Sequence, residues 1–247
     1  MSRMASETLV LLAAGVLVVA FLYSSVGHAG ASGYIAVMAL AGLSPAFIKP
    51  TALALNILVA CLSSWQFYRA GYFSWRLFWP FAALAVPCAY LGGYLHLPAR
   101  LFNVVLGVVL LYSAIRFLMP AKAEAQARPP SLPVALGVGA GLGFISGLAG
   151  VGGGIFLTPL LIILGWARTK TASAVSAVFI LVNSIAGLAG TVASTGTPPP
   201  VAIPLGLAVI AGGAAGSYLG SHRFSVTLIK RLLACVLTIA ALKLLFA

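Results

Sequence analysis

Only two carboxylates, Glu7 and Glu124, occur in 247 residues, and the apolar runs between the few charges are too long for a water-facing fold. Charged residues make up 6% of the chain and hydrophobic ones 62%, against roughly 25% charged in soluble globular domains. Runs of about 20 apolar residues match the hydrocarbon thickness of a bilayer, so the fold class is an all-α polytopic membrane protein. The spans fall at 8–27, 47–68, 74–95, 100–119, 131–149, 171–194, 201–220 and 226–246. The first follows Arg3 and runs into Gly27-His28-Ala29, as a signal peptide and its cleavage site would; we read it as the first membrane helix. Two shorter stretches, 34–43 and 154–165, cover roughly 15–18 Å at about 1.5 Å per residue, half the bilayer core. They read as half-helices returning from a break.

One of those breaks is a glycine knot. Residues 146–159 run from Ser146 through Gly150, Gly152, Gly153 and Gly154 to Pro159, flanked by Leu142, Phe144, Leu160 and Leu161. Non-helical backbone at membrane depth is tolerated only where it is buried in protein or lines a polar cavity, which makes the knot the first place to look for function. The two halves of the chain echo each other. Gly30-Ala31-Ser32-Gly33 and a short apolar stretch match Gly150-Val151-Gly152-Gly153 and another, and Tyr90-Leu91-Gly92-Gly93 recurs as Tyr218-Leu219-Gly220-Ser221. Residues 1–119 form a first membrane repeat and 132–247 a second. The Pro- and Ala-rich, charged segment 120–131 is a cytoplasmic linker. Glycines repeating every four residues at 139, 143 and 147 and at 212, 216 and 220 read as helix-packing seams.

Charge sets the orientation. Each half, read as a hairpin returning to its own side followed by three crossings, has an odd number of crossings, so the halves are inverted repeats. One side then collects Arg69, Arg76, Arg116, Lys122, Arg128, Arg168, Lys170, Arg223, Lys230 and Arg231, and the other only Arg3, Lys49, Arg100 and Lys243. The richer side is cytoplasmic by the positive-inside rule, which leaves both termini outside a bacterial-type cytoplasmic (inner) membrane. Inverted repeats with broken helices meeting at the midplane are a design of secondary transporters.

The run Gly150-Val151-Gly152-Gly153-Gly154-Ile155-Phe156-Leu157-Thr158-Pro159, then Gly165, then Thr171-Ala172-Ser173-Ala174-Val175-Ser176 resembles the sulfite exporter TauE/SafE family. A degenerate copy stands at Gly30–Gly33, Gly42-Leu43-Ser44-Pro45 and Thr51, and the likeness covers nearly the whole chain. The resemblance implies a multi-pass transporter of small anions such as sulfite, sulfoacetate and other organosulfur or carboxylate compounds. In the first half Gly27-His28-Ala29 replaces a fuller glycine cluster, which places a symmetric site in question.

Half-helices starting at Tyr34 and Gly154 would turn their N-terminal ends to the two breaks. Such ends carry unpaired N–H groups and roughly half a positive charge, and glycine lets a ligand approach the backbone closely. Two of them facing each other would hold an oxyanion without a buried Lys or Arg. The candidate substrate-binding residues are Ser25, His28, Ser32 and Gly33 at the first break and Ser146, Gly150, Gly152, Gly153 and Gly154 at the second. Thr51 and Asn56 on one following helix and Ser173, Ser176 and Asn183 on its counterpart complete the set. Each hydroxyl has an alternative use in bonding its own or a neighbouring helix. His28, able to change charge near neutral pH, is the candidate for coupling to a proton, with a neutral, carbonyl-bonded histidine as the alternative.

No nucleotide-binding motif, carboxylate pair or His/Cys cluster occurs, so no cofactor, metal, nucleic-acid partner or catalytic residue is expected. Cys61, Cys88 and Cys235 read as small packing residues. The leading reading is therefore an alternating-access anion transporter in the lipid bilayer. The alternatives are a channel-like anion pore using the same helix ends and an intramembrane enzyme built on Ser25 and His28.

Overall fold

The computed structural model describes residues 6–25, 29–119, 127–197, 203–220 and 226–246. In chain order they form α1 (Ser6–Ser25), α2 (Ala31–Leu40), α3 (Pro45–Arg69), α4 (Trp75–Tyr94) and α5 (Ala99–Leu118), then α6 (Leu132–Ala149), α7 (Gly154–Ile163), α8 (Thr169–Thr195), α9 (Ile203–Gly220) and α10 (Val226–Phe246). The described residues contain no strand. Helices α3, α4, α6 and α8 are long and apolar enough to cross a membrane, and α2 and α7 are 10 residues each. The eight expected apolar runs are recovered as helices, with ends shifted by a few residues.

Local signals start and stop these helices. Pro45 and Pro133 occupy first-turn positions of α3 and α6, where a missing N–H costs nothing. Gly150 and Gly196 end α6 and α8 in the left-handed conformation. Both half-helices open on a left-handed glycine, Gly30 (φ 94°) and Gly153 (φ 80°), and both are followed by another, Gly42 (φ 77°) and Gly165 (φ 67°).

This geometry corrects the first half-helix. It begins at Ala31, not Tyr34, so Gly33 lies within α2 and outside the break. Gly30 thus stands at the N-cap of α2 as Gly153 stands at that of α7. Gly33 is a packing glycine: a Cβ there would collide with Val19 and lie 2.7 Å from Cε2 of Tyr23.

The glycine seams pack as expected. Cβ atoms on Gly139, Gly143 and Gly147 would overlap the carbonyl oxygens of Phe81, Ala85 and Ala89 in turn, so α6 lies against α4 and runs parallel to it. Gly212 and Gly216 likewise meet the carbonyls of Leu17 and Phe21, pairing α9 with α1 in parallel. Cys61 and Cys235 are free and exposed at the surface of the bundle, and Cys88 is half-buried.

Hydrogen bonds between helix ends define two faces. At one, Lys243 near the end of α10 donates to Ala39 O (3.1 Å) and Leu40 O (2.8 Å) at the end of α2, just before α3 starts. At the other, Lys170 at the start of α8 donates to the Tyr72 hydroxyl (3.1 Å) in the α3–α4 turn. There too Arg128 N–H reaches Gly165 O at the end of α7 (2.8 Å). Helices α2 and α7 thus run towards opposite faces. Aromatic residues mark both levels along α4, with Phe73, Trp75 and Phe78 clustered at its start and Tyr90 stacked on Tyr94 at its end.

Candidate functional site

The second break is wedged between α3 and α8. A Cβ on Gly152 (φ 72°) would overlap Asn56 Nδ2 and lie 2.7 Å from Ser184 Oγ. One on Gly153 would meet Phe179 Cε1 at 2.9 Å, and one on Gly154 would collide with Ile180. Gly152 and Gly153 are needed for positive φ, and all three because side chains of neighbouring helices press on the backbone. Ser146 O accepts the N–H groups of Gly150 (2.9 Å) and Val151 (3.2 Å), closing α6. The first intrahelical bonds of α7 come from Phe156 and Leu157 to Gly153 O, so the N–H groups of Gly154 and Ile155 have no backbone partner. In α2 the corresponding bonds run from Gly33 and Tyr34 to Gly30 O, leaving Ala31 and Ser32 N–H open.

The two breaks share one narrow cleft. Tyr23, Gly30, Ala31 and Ser32 line it from the first half and Val151, Ile155 and Ile180 from the second, with Asn56 between them. An adjoining cleft, joined through Ala29 and Ile180, is lined by Ser63, Thr158, Ser173 and Ser176. Ser173 is one turn from the start of α8, so this polar track leads towards the face that carries Lys170 and Arg168.

Around the clefts, buried polar atoms lack partners. Thr51 Oγ1, Ser146 Oγ, Ser176 Oγ, Asn56 Oδ1 and Asn183 Oδ1 are all buried and unbonded. Such groups cost roughly 1–3 kcal/mol each when left unsatisfied, so a cluster of them marks a place that a polar ligand or water completes. Asn56 donates its amide to Ser184 Oγ (2.9 Å), joining α3 to α8. Asn183 instead donates to Phe179 O in its own helix (2.9 Å) and does not line either cleft. Thr51 and Ser146 are also set back from the lining, and Ser146 Oγ lies beside Gly153. Ser32 Oγ is bonded to the Tyr23 hydroxyl (2.7 Å). His28 and the side chain of Ser25 fall outside the described residues.

One cation departs from the sequence reading. Lys49 is 7% exposed and is not a loop charge. Its ammonium donates to Gly92 O (3.0 Å), Gly93 O (2.9 Å) and Leu95 O (3.3 Å), capping the end of α4. Its stem packs on the knot, where a Cβ on Gly150 would lie 3.3 Å from Lys49 Cγ. The surroundings of the second break thus include a buried lysine, but one committed to carbonyl oxygens. The sequence signal for it was a lone Lys inside the apolar start of α3, between Ile48 and Pro50. Among the described residues no group of three or more His, Cys, Asp or Glu could hold a metal ion.

These features define a many-helix membrane protein with two half-helices whose N-terminal ends border a common narrow cleft. The family model for the sulfite exporter TauE/SafE matches residues 11–244, and the chain belongs to that family. It is 42% identical over 240 residues, covering 95% of this chain and 97% of the relative, to a Sinorhizobium fredii protein named probable membrane transporter protein y4hK. No solved structure matches the chain. Family and relative together make it a membrane transporter.

Proposed function

We propose that this transporter carries a small anion, of the sulfite, sulfoacetate or related organosulfur or carboxylate class, across a cytoplasmic membrane by alternating access. The carrying observation is the shared cleft, where two half-helix N-termini with open N–H groups meet beside the unbonded Asn56 Oδ1, with the unbonded Ser176 hydroxyl in the adjoining cleft. Open N–H groups at a helix start favour negative charge, and the cleft linings contain no carboxylate to repel it. Substrate selectivity then rests on neutral donors, with lysine kept out of the lining.

The inverted-repeat reading is supported by matching helix lengths in the two halves, 20, 10, 25, 20 and 20 residues against 18, 10, 27, 18 and 21. The left-handed glycines Gly30 and Gly153 occupy the same place in each, and the half-helices run to opposite faces. Arg69, Arg128, Arg168 and Lys170 crowd the face to which the polar track leads, which we read as cytoplasmic.

Alternating access, in preference to a pore, is favoured by an inequality between the halves. Lys243 and Arg116 are both the eighteenth residue of their helices, α10 and α5. Lys243 is clamped on the carbonyl end of α2. Arg116 makes no such bond to the end of α7: its partner is Met119 Sδ (3.1 Å), and its Nε is buried and unbonded. One helix-end latch is closed and its counterpart open, as a state open to a single side requires. On a cysteine-free background carrying Leu40→Cys, Lys243→Met is expected to raise labelling by an impermeant maleimide from the α2-end face several-fold. Unchanged labelling contradicts the latch.

The proposal is tested by flux in proteoliposomes. Wild-type protein is expected to show saturable, steeply temperature-dependent sulfite uptake, and Ser176→Ala to weaken apparent affinity about tenfold, one lost hydrogen bond to a charged group. Non-saturating flux with large unitary currents would favour the pore instead.

A further inference from the structure

The two sides of the shared cleft are built differently at equivalent positions. Tyr23 stands seven residues before Gly30, and Ser146 stands seven residues before Gly153, the glycines that open the two half-helices. At position 146 the chain places a small hydroxyl, buried, unbonded and set back beside Gly153. At position 23 it places a fully buried aromatic ring that lines the cleft itself. That ring is seated firmly. It presses on Gly33, where a Cβ would lie 2.7 Å from Tyr23 Cε2, and its hydroxyl is 2.7 Å from Ser32 Oγ. Behind it the Tyr34 hydroxyl donates to Ala29 O (2.9 Å), tying the residue before Gly30 to α2.

Ser32 is the second residue of α2, where the backbone N–H is open. Its side chain is therefore held by Tyr23 beside the N–H groups that would receive an acid oxygen. Val151, Ile155 and Ile180 close the opposite side with apolar surface. An acid group seated at Ala31 and Ser32 is then enclosed by the Tyr23 ring on its own side and by the aliphatic side chains of Val151, Ile155 and Ile180 on the other, which narrow the cleft around it.

We propose that Tyr23 determines which anions the site accepts. Its hydroxyl orients Ser32 towards the acid group, and its ring is the wall that limits the body of the ligand, so the site takes compact acids with a single head in preference to extended ones with two. This rests on the anion-transport reading above and names the substrate class within it. Tyr23 acts here as a wall and a positioning residue for Ser32.

The experiment is ligand-induced thermal stabilisation of detergent-purified full-length protein, with sulfite, acetate and sulfoacetate titrated separately. Wild type is expected to be stabilised by sulfite and acetate at concentrations at least tenfold below those needed for sulfoacetate. Tyr23→Phe keeps the wall and loses the hydroxyl, so the order is retained while the apparent Kd for sulfite rises about tenfold. Tyr23→Leu and Tyr23→Ser remove the wall, so sulfoacetate gains at least tenfold relative to sulfite. If Tyr23→Phe lowers the melting temperature of the ligand-free protein but leaves every ligand response as in wild type, the tyrosine is structural and the proposal is overturned. An unchanged ratio of sulfoacetate to sulfite affinity in the Leu variant overturns it as well. A wild-type protein that no anion stabilises, yet which melts cooperatively, refutes the anion reading itself and the role of Tyr23 with it.

Discussion

Gly152→Ala is expected to abolish transport and to sharply reduce the yield of folded protein. Two costs fall on the same atom. A left-handed backbone at φ 72° disfavours any Cβ by roughly 1–2 kcal/mol. The added methyl would also overlap Asn56 Nδ2 and crowd Ser184 Oγ, an overpacking cost of roughly 1–3 kcal/mol. Relief would require Asn56 to swing away, which breaks its bond to Ser184 and the α3–α8 tie across the cleft. Two controls separate these terms. Gly165→Ala has positive φ and open space around it, so it should incur the backbone cost alone. Gly137→Ala lies in α6 with nothing near its Cβ position and should be neutral or slightly stabilising. Size-exclusion yield and thermal melting rank the three, and equal behaviour of Gly152→Ala and Gly165→Ala would contradict the packing argument.

The second large effect is expected from Lys49→Met. The substitution retains most of the apolar stem that lies on Gly150 and removes only the ammonium. Gly92 and Leu95 then lose a charged donor at the end of α4, while Gly93 O keeps its bond from Thr191 Oγ1 (3.1 Å). Hydrogen bonds to charged groups contribute roughly 1.5–3 kcal/mol, and in a low-dielectric interior water does not replace them readily. Melting should fall by roughly 5 °C or more. The apparent affinity for anion should change little, because the ammonium is committed to carbonyls and takes no part in the cleft lining. A large loss of affinity without loss of stability would instead make Lys49 a ligand-binding cation.

The helix plan was readable because it rests on run length and on glycine and proline punctuation. Residues 47–68 and 171–194 were expected where α3 and α8 run from 45 to 69 and from 169 to 195. The start of α7 at Gly154 was legible for the same reason. The start of α2 was not: Gly30, Ala31, Ser32 and Gly33 are all small, and composition does not separate a glycine that breaks a helix from one that admits a neighbouring ring. Only the packing of Val19 and Tyr23 on Gly33 shows which is which.

The site was legible in its polar inventory more than in its geometry. Asn56 and Ser176 line the clefts, whereas Asn183 bonds within its own helix, a difference of helix face that burial cost alone does not reveal. Lys49 was counted only among the cations that set orientation, because its three carbonyl partners lie more than forty residues away in sequence. Tyr23 carries no motif; its place follows from the packing of α1 on Gly33 of α2.

The most direct measurement is a structure of the protein with selenite, a heavier relative of sulfite whose selenium can be located by anomalous scattering. The account predicts a single selenium position in the cleft between Ser32 and Ile155, within hydrogen-bonding reach of an open N–H group of α2 or α7 and near Asn56. Selenium located only at the surface cations, or beside Lys49 in place of the cleft, would contradict it.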